Sequence, residues 1–185
     1  MPDTLPLPLN CTTREAGLIA IGELAVTRRL PTATVKRINP GCLLWIREPF
    51  RLPNTAAELS PSQYVSTRHH SSAQAFVHYA ADGPAPGSYG TMRFARAMPR
   101  ELSRVVLTVS GIRLERLQAI DDQGAQDACF RDRAAFAAAW DEMVGKGIRT
   151  EDADRWEGNP TVSVVEFTFE RRKIAAAEQR QAEFA

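Results

Sequence analysis

Ser103-Arg104-Val105-Val106-Leu107-Thr108-Val109-Ser110-Gly111-Ile112-Arg113-Leu114-Glu115-Arg116-Leu117 is the longest strand signal in the chain. Val105, Leu107 and Val109 alternate with their neighbours, then Ile112 and Leu114 alternate in the opposite phase after Ser110-Gly111. A phase switch at a glycine predicts one long strand carrying a β-bulge, because one extra residue moves every later side chain to the other face. Downstream, Ala119–Ala128 and Asp132–Val144 read as helices, the second carrying Phe136, Trp140, Met143 and Val144 at helical spacing as a core stripe. Thr161–Phe169, entered through Asn159-Pro160, is a second β-rich run. Long strands with helices between them fit an α+β fold, a small mixed sheet or partly open β-barrel with flanking helices, better than regular βαβ repetition.

Upstream of that strand, Cys42-Leu43-Leu44-Trp45-Ile46 reads as a buried strand ending in Arg47-Glu48. Phe76–Ala80 reads as a short strand closed by the turn residues Asp82-Gly83-Pro84. Residues 49–75 are polar and broken by proline, an irregular insertion. Thr12-Thr13-Arg14-Glu15 has the capping-box spacing and predicts a helix to about Glu23. The expected organisation is a flexible N-terminal arm over 1–11, one domain over 12–170, and an Ala- and charge-rich helical tail over 171–185.

The 185 residues fit one decorated domain, and 44% hydrophobic with 24% charged residues is ordinary globular composition. The sequence has no apolar run of membrane-spanning length, so no membrane partner is expected, and Met1–Asn10 lacks the basic start and apolar core of a signal peptide. Cys11, Cys42 and Cys129 are too few and too scattered for a disulfide framework, which fits a reducing cytoplasm. A net charge of +1 gives no whole-chain pull on nucleic acid, so any basic surface is local. His69, His70 and His78 lack acids or cysteines at ligand spacing, so neither a metal nor another cofactor is expected.

Six stretches then stand out as a set: Thr27-Arg28-Arg29, Trp45-Ile46-Arg47-Glu48, Met98-Pro99-Arg100-Glu101-Leu102-Ser103-Arg104, Leu114–Ile120, Trp140-Asp141, and Asn159-Pro160 leading into Val164-Val165-Glu166-Phe167. In this order and spacing, over roughly Ala16 to Phe169, the chain resembles phage and prophage proteins of the ASCH domain family, in the PUA-like superfamily. The resemblance implies a small β-barrel with flanking helices and a role with RNA or modified nucleosides. The best-understood members resemble amidohydrolases of acetylated cytidine, with a Lys three residues before a Thr in a G-x-K-x-x-T segment and a Glu in a later helix. Here that segment is Gly22-Glu23-Leu24-Ala25-Val26-Thr27, and the Glu position falls on Ala128. An alkyl side chain cannot accept the proton that the lysine would take. Thr27 is left as the one catalytic candidate, and binding without that hydrolysis is the expectation.

Candidate ligand contacts follow from residue type. Arg28 and Arg29 either bind phosphate or neutralise carbonyls at a helix C-terminus. Arg47 and Glu48 either line a barrel mouth, Glu48 orienting Arg47, or form a structural ion pair. Arg93, Arg96, Arg100 and Arg104, with Tyr89 and Phe94, have the mixture of guanidinium and aromatic groups that grips single-stranded RNA, a mixture also found in solvated loops. Tyr79 and Asp82 either read a base edge or make a turn. The expected function is a phage- or prophage-encoded module in the bacterial host cytoplasm, holding RNA or a nucleotide or nucleoside in a cleft lined by Arg47, Arg93 and Arg100. The alternatives are a divergent hydrolase of acylated cytidine-type nucleosides, with Glu48 replacing the base, and an accessory or assembly protein that contacts phage or host proteins.

Overall fold

A computed structural model describes residues 5–67, 76–145 and 151–170. In chain order the elements are β1 (Leu7–Asn10), α1 (Thr13–Ala20), β2 (Val26–Arg29), β3 (Leu43–Arg47), β4 (Phe50–Arg51), α2 (Pro61–Thr67), β5 (His78–Tyr79), β6 (Val106–Arg116), α3 (Asp122–Asp127), α4 (Arg133–Gly145) and β7 (Thr161–Glu170). The fold is α+β. Its main sheet is mixed and five-stranded, ordered β1-β3-β6-β7-β2, and is not closed into a barrel; β4 and β5 pair separately. The long strand signal becomes β6, which continues through Ser110-Gly111. A Cβ at position 111 would lie 2.9 Å from the Glu166 carboxylate, the movable end of a half-exposed side chain.

The chain divides into two compact units, one holding Cys42–Thr108 with the chain up to Gly22, the other Glu23–Gly41 and Val109–Thr168. In the first, β1 runs parallel to β3 with Leu7 opposite Leu44 and Leu9 opposite Ile46. A parallel pair requires a crossover, and α1 lies in this one. Its N-terminus closes as the sequence predicts, Glu15 N–H donating to Thr12 Oγ1 at 3.1 Å and Thr12 N–H to Glu15 Oε2 at 2.9 Å. Residues 7–10 are therefore a sheet strand, although they lie inside the segment read as a flexible arm. Leu43, Trp45 and Val106 form a small cluster, while Leu44, Ile46 and Leu107 are buried too. With both faces of β3 covered, its sequence is a continuous apolar run rather than an alternating one.

Between β3 and β6 the same unit carries a second core of Phe50, Leu52, Tyr64, Val65, Val77, Tyr79, Met98 and Leu102. Residues 49–67, read as part of an irregular insertion, thus hold β4 and α2 and bury large side chains. α2 starts at a capping box of its own, with Gln63 N–H donating to Ser60 Oγ at 3.2 Å and Ser60 N–H to Gln63 Oε1 at 2.9 Å. The rest of the insertion, 68–75, and the tail read over 171–185 lie outside the described residues.

In the second unit, β2 pairs antiparallel with β7, Thr27 opposite Val165 and Arg28 opposite Val164. The core joins Leu117, Ile120, Ala125, Phe136, Trp140, Val144 and Val162, so the α4 stripe is core as read. Asp121 caps α3 by accepting from Gly124 N–H at 2.7 Å, and Asp132 accepts from Ala135 N–H at 2.8 Å at the start of α4. Thr27-Arg28-Arg29 is sheet strand, not the end of the preceding helix, which stops at Ala20.

Candidate functional site

Trp45 and Arg47 are two residues apart on β3, and a strand places such residues on one face. The Arg47 guanidinium lies over the Trp45 ring, 4.6 Å from its centroid. Its Nε is fully buried and has no hydrogen-bond acceptor among the described residues. Burial lowers the proton affinity of this guanidinium from its ordinary value. A buried N–H without an acceptor forfeits about 1–3 kcal/mol, and more when it belongs to a charged group. Arg47 is therefore a half-buried cation held against an aromatic ring.

Glu48 does not orient Arg47, contrary to the expectation above. The next residue along extended chain points the opposite way, and Glu48, 2% exposed, takes Arg104 instead. Arg104 Nε donates to Glu48 Oε1 at 2.9 Å and Nη2 to Oε2 at 3.0 Å, a bidentate pair. Arg104 Nη1 reaches both oxygens of Asp82, at 2.8 and 2.7 Å. The guanidinium lies 4.0 Å from the centroid of the Tyr79 ring, and Tyr79 Oη donates to the Leu102 carbonyl at 2.7 Å. Burial, only partly offset by the Arg104 charge, pushes the Tyr79 phenol far above its ordinary value, so it stays protonated. Arg104, Glu48, Asp82 and Tyr79, each read as a ligand contact, are thus joined to one another in a clasp inside the first unit.

Arg93 is also committed. Its Nη2 donates to the carbonyls of Ala57 and Leu59, both at 2.8 Å, and its backbone pairs with Phe50. Arg100 is half-buried in a single turn of 3-10 helix, Arg100–Leu102. His78 is buried beside Tyr89, ring centroids 5.4 Å apart, with Nδ1 3.0 Å from the Tyr79 carbonyl. Among the described residues no group of three His, Cys, Asp or Glu is arranged to hold a metal, and His69-His70 lie outside those residues.

In the second unit, Arg28 is 7% exposed and donates from Nε to Glu115 Oε1 at 2.7 Å, with its guanidinium 5.7 Å from the Phe136 ring centroid. Its Nη1 also donates to the Gly124 carbonyl of α3 at 3.4 Å, so this guanidinium is committed to a buried pair and a helix carbonyl. Arg29 is half-buried beside it on β2. Thr27 is 5% exposed, Leu24 4% and Ala128 6%. Two of the three positions that the resemblance assigns to catalysis are thus core side chains incapable of proton transfer. Asp127, the carboxylate nearest in sequence to Ala128, is exposed and accepts from Gln123 Nε2 at 2.9 Å.

With this geometry in view, comparison with known proteins adds nothing further: no family model, no curated protein and no solved structure matches the chain.

Sequence reasoning named Arg47 but missed Trp45 as its support. The signal was present: an aromatic and an arginine at i and i+2 in a strand stack on one face.

Proposed function

We propose that this chain is a PUA-like module of the ASCH type, of phage or prophage kind, that binds RNA or a nucleotide and lacks the lysine-dependent hydrolysis of that family. The observation that carries the reading is the Arg47 guanidinium, stacked on Trp45 with a buried Nε that has no acceptor among the described residues. Arg47 as a whole is only half-buried, and a planar guanidinium backed by an indole suits a phosphate oxygen or a base carbonyl. Arg93 and Arg104, read as neighbours in binding, fit this reading as scaffold, because both are tied to protein acceptors. The loss of hydrolysis is supported by Leu24 and Ala128, whose buried alkyl groups leave Thr27 without a base or a proton shuttle at the positions the family uses.

Calorimetric titration of the full chain with cytidine 5′-monophosphate and with a short single-stranded RNA tests this. Binding that weakens as salt rises is expected. Replacing Arg47→Gln should lower affinity about 10- to 150-fold, as loss of a hydrogen bond from a charged donor does. Absence of binding to both probes, a salt-independent affinity, or an Arg47→Gln variant that binds like the wild type would each overturn the proposal.

A further inference from the structure

Between Gly83 and Arg100 the chain has no Asp or Glu and three arginines, Arg93, Arg96 and Arg100. This segment is not a loose loop. Gly90 N–H donates to the Leu52 carbonyl at 2.9 Å, Asn54 N–H to the Ser88 carbonyl at 2.9 Å, and Arg51 Nη1 to the Gly90 carbonyl at 2.7 Å. Arg93 and Phe50 exchange backbone bonds of 2.8 and 3.1 Å. Beyond them the chain makes a 3-10 turn over Ala95–Ala97, and Met98, 1% exposed, anchors its far end in the core.

On this pinned frame Phe94 is 74% exposed and Met92 50%. The Arg96 guanidinium lies 5.6 Å from the centroid of the Phe94 ring. A single exposed apolar residue needs no explanation. An exposed aromatic ring at the tip of a rigid, acid-free, arginine-bearing segment, with a cation already against it, has the parts of a stacking platform for unpaired bases.

We infer that Phe94, with Arg96 and Met92, is a stacking platform for one base of a single-stranded nucleic acid. The inference rests on the reading of the chain as RNA-binding and specifies the form of its ligand, an unpaired strand rather than a duplex, whose bases have no free face. Charge favours nucleic acid over a protein partner: the segment 83–100 itself carries positive charge only, and the phosphate backbone beside a stacked base complements it.

The test uses the full chain and a single strand of about ten nucleotides carrying one 2-aminopurine, whose fluorescence is quenched by stacking. Wild type should quench it and bind it more tightly than the matching duplex. Phe94→Ala should lose the quenching and weaken binding about 5- to 150-fold, the range for removing one base–aromatic stack. Arg96→Gln should reduce the steepness of the salt dependence by about 0.7. Because Phe94 is exposed, an unchanged thermal midpoint will show that the variant folds. Quenching that survives Phe94→Ala, or equal affinity for duplex and strand, overturns the platform. So does Phe94-dependent self-association of the wild type in sedimentation, which would assign the patch to protein contact. Titration of Arg47→Gln with cytidine 5′-monophosphate reports separately on the Arg47 reading, so either can fail alone.

Discussion

Replacing Glu48→Ala removes the buried acceptor of the Arg104 clasp. The Glu48 side chain is 2% exposed and that of Arg104 14%, so both charges are largely out of water. Breaking such a pair from one side costs about 3–5 kcal/mol, since the surviving charge stays buried. Asp82 still holds Arg104 Nη1, and at 49% side-chain exposure it gives partial compensation. The expected loss is therefore at the lower end, about 3 kcal/mol. Asp82→Ala should cost no more than about 1 kcal/mol, as a half-exposed partner does. The double variant Glu48→Leu with Arg104→Met should recover most of the loss, because apolar side chains of similar volume remove the desolvation cost of both charges. Equilibrium urea unfolding followed by circular dichroism measures all three. A Glu48→Ala variant within about 1 kcal/mol of wild type, or a double variant no more stable than Glu48→Ala, would refute the account of the clasp.

Tyr79 makes stability depend on pH at the alkaline end. Its phenol is shifted upward from 10.0 in the folded state, so the folded chain holds a proton that the unfolded chain releases. Its contribution is complete below pH 10 and declines above it, by up to about 1.4 kcal/mol per pH unit; in Tyr79→Phe this slope between pH 10 and 11.5 should be absent, and an unchanged slope would assign it elsewhere. Leu24→Lys places an ammonium at a position 4% exposed. It should cost about 3–5 kcal/mol at pH 7, the cost shrinking towards the ordinary lysine value of about 10.4, and should yield no release of acetate from acetylated cytidine; turnover by this variant would show that the rest of the catalytic set is intact.

Elements that announce themselves locally were legible. The strand signal from Val106 to Val109, the Thr12–Glu15 capping box and the Phe136, Trp140 and Val144 stripe each encode their element within a few residues and appear as strand, helix start and core; the strict alternation does not, since Val106 is buried with its neighbours and Leu114 is 68% exposed. β1 and β2 were missed because each has four residues, and β1 is a strand only by virtue of its pairing with β3 over thirty residues away. β4 has two residues and no period to detect, whereas β5 lies inside the short strand read over Phe76–Ala80. α2 could have been found, since Ser60-Pro61-Ser62-Gln63 combines a capping-box spacing with proline at the first helical position.

The candidate site was less legible because every arginine offers the same donors and only its surroundings decide what receives them. Arg28, Arg93 and Arg104 satisfy theirs on Glu115, on the carbonyls of Ala57 and Leu59, and on Glu48 with Asp82. None of these acceptors lies within thirty residues of its arginine except Asp82, which is twenty-two from Arg104. Composition therefore counts four arginines as a basic cluster where the structure separates them by role. Arg93 and Arg104 fix the scaffold, and Arg96 rests in the open on Phe94. Arg47 is set apart by a different feature: Trp45 supports its guanidinium, and its buried Nε has no acceptor among the described residues. An arginine whose protein acceptors are complete has little left to give a ligand, so the residues to test for binding are Arg47 and Arg96, and substitutions at Arg93 and Arg104 should act first through stability.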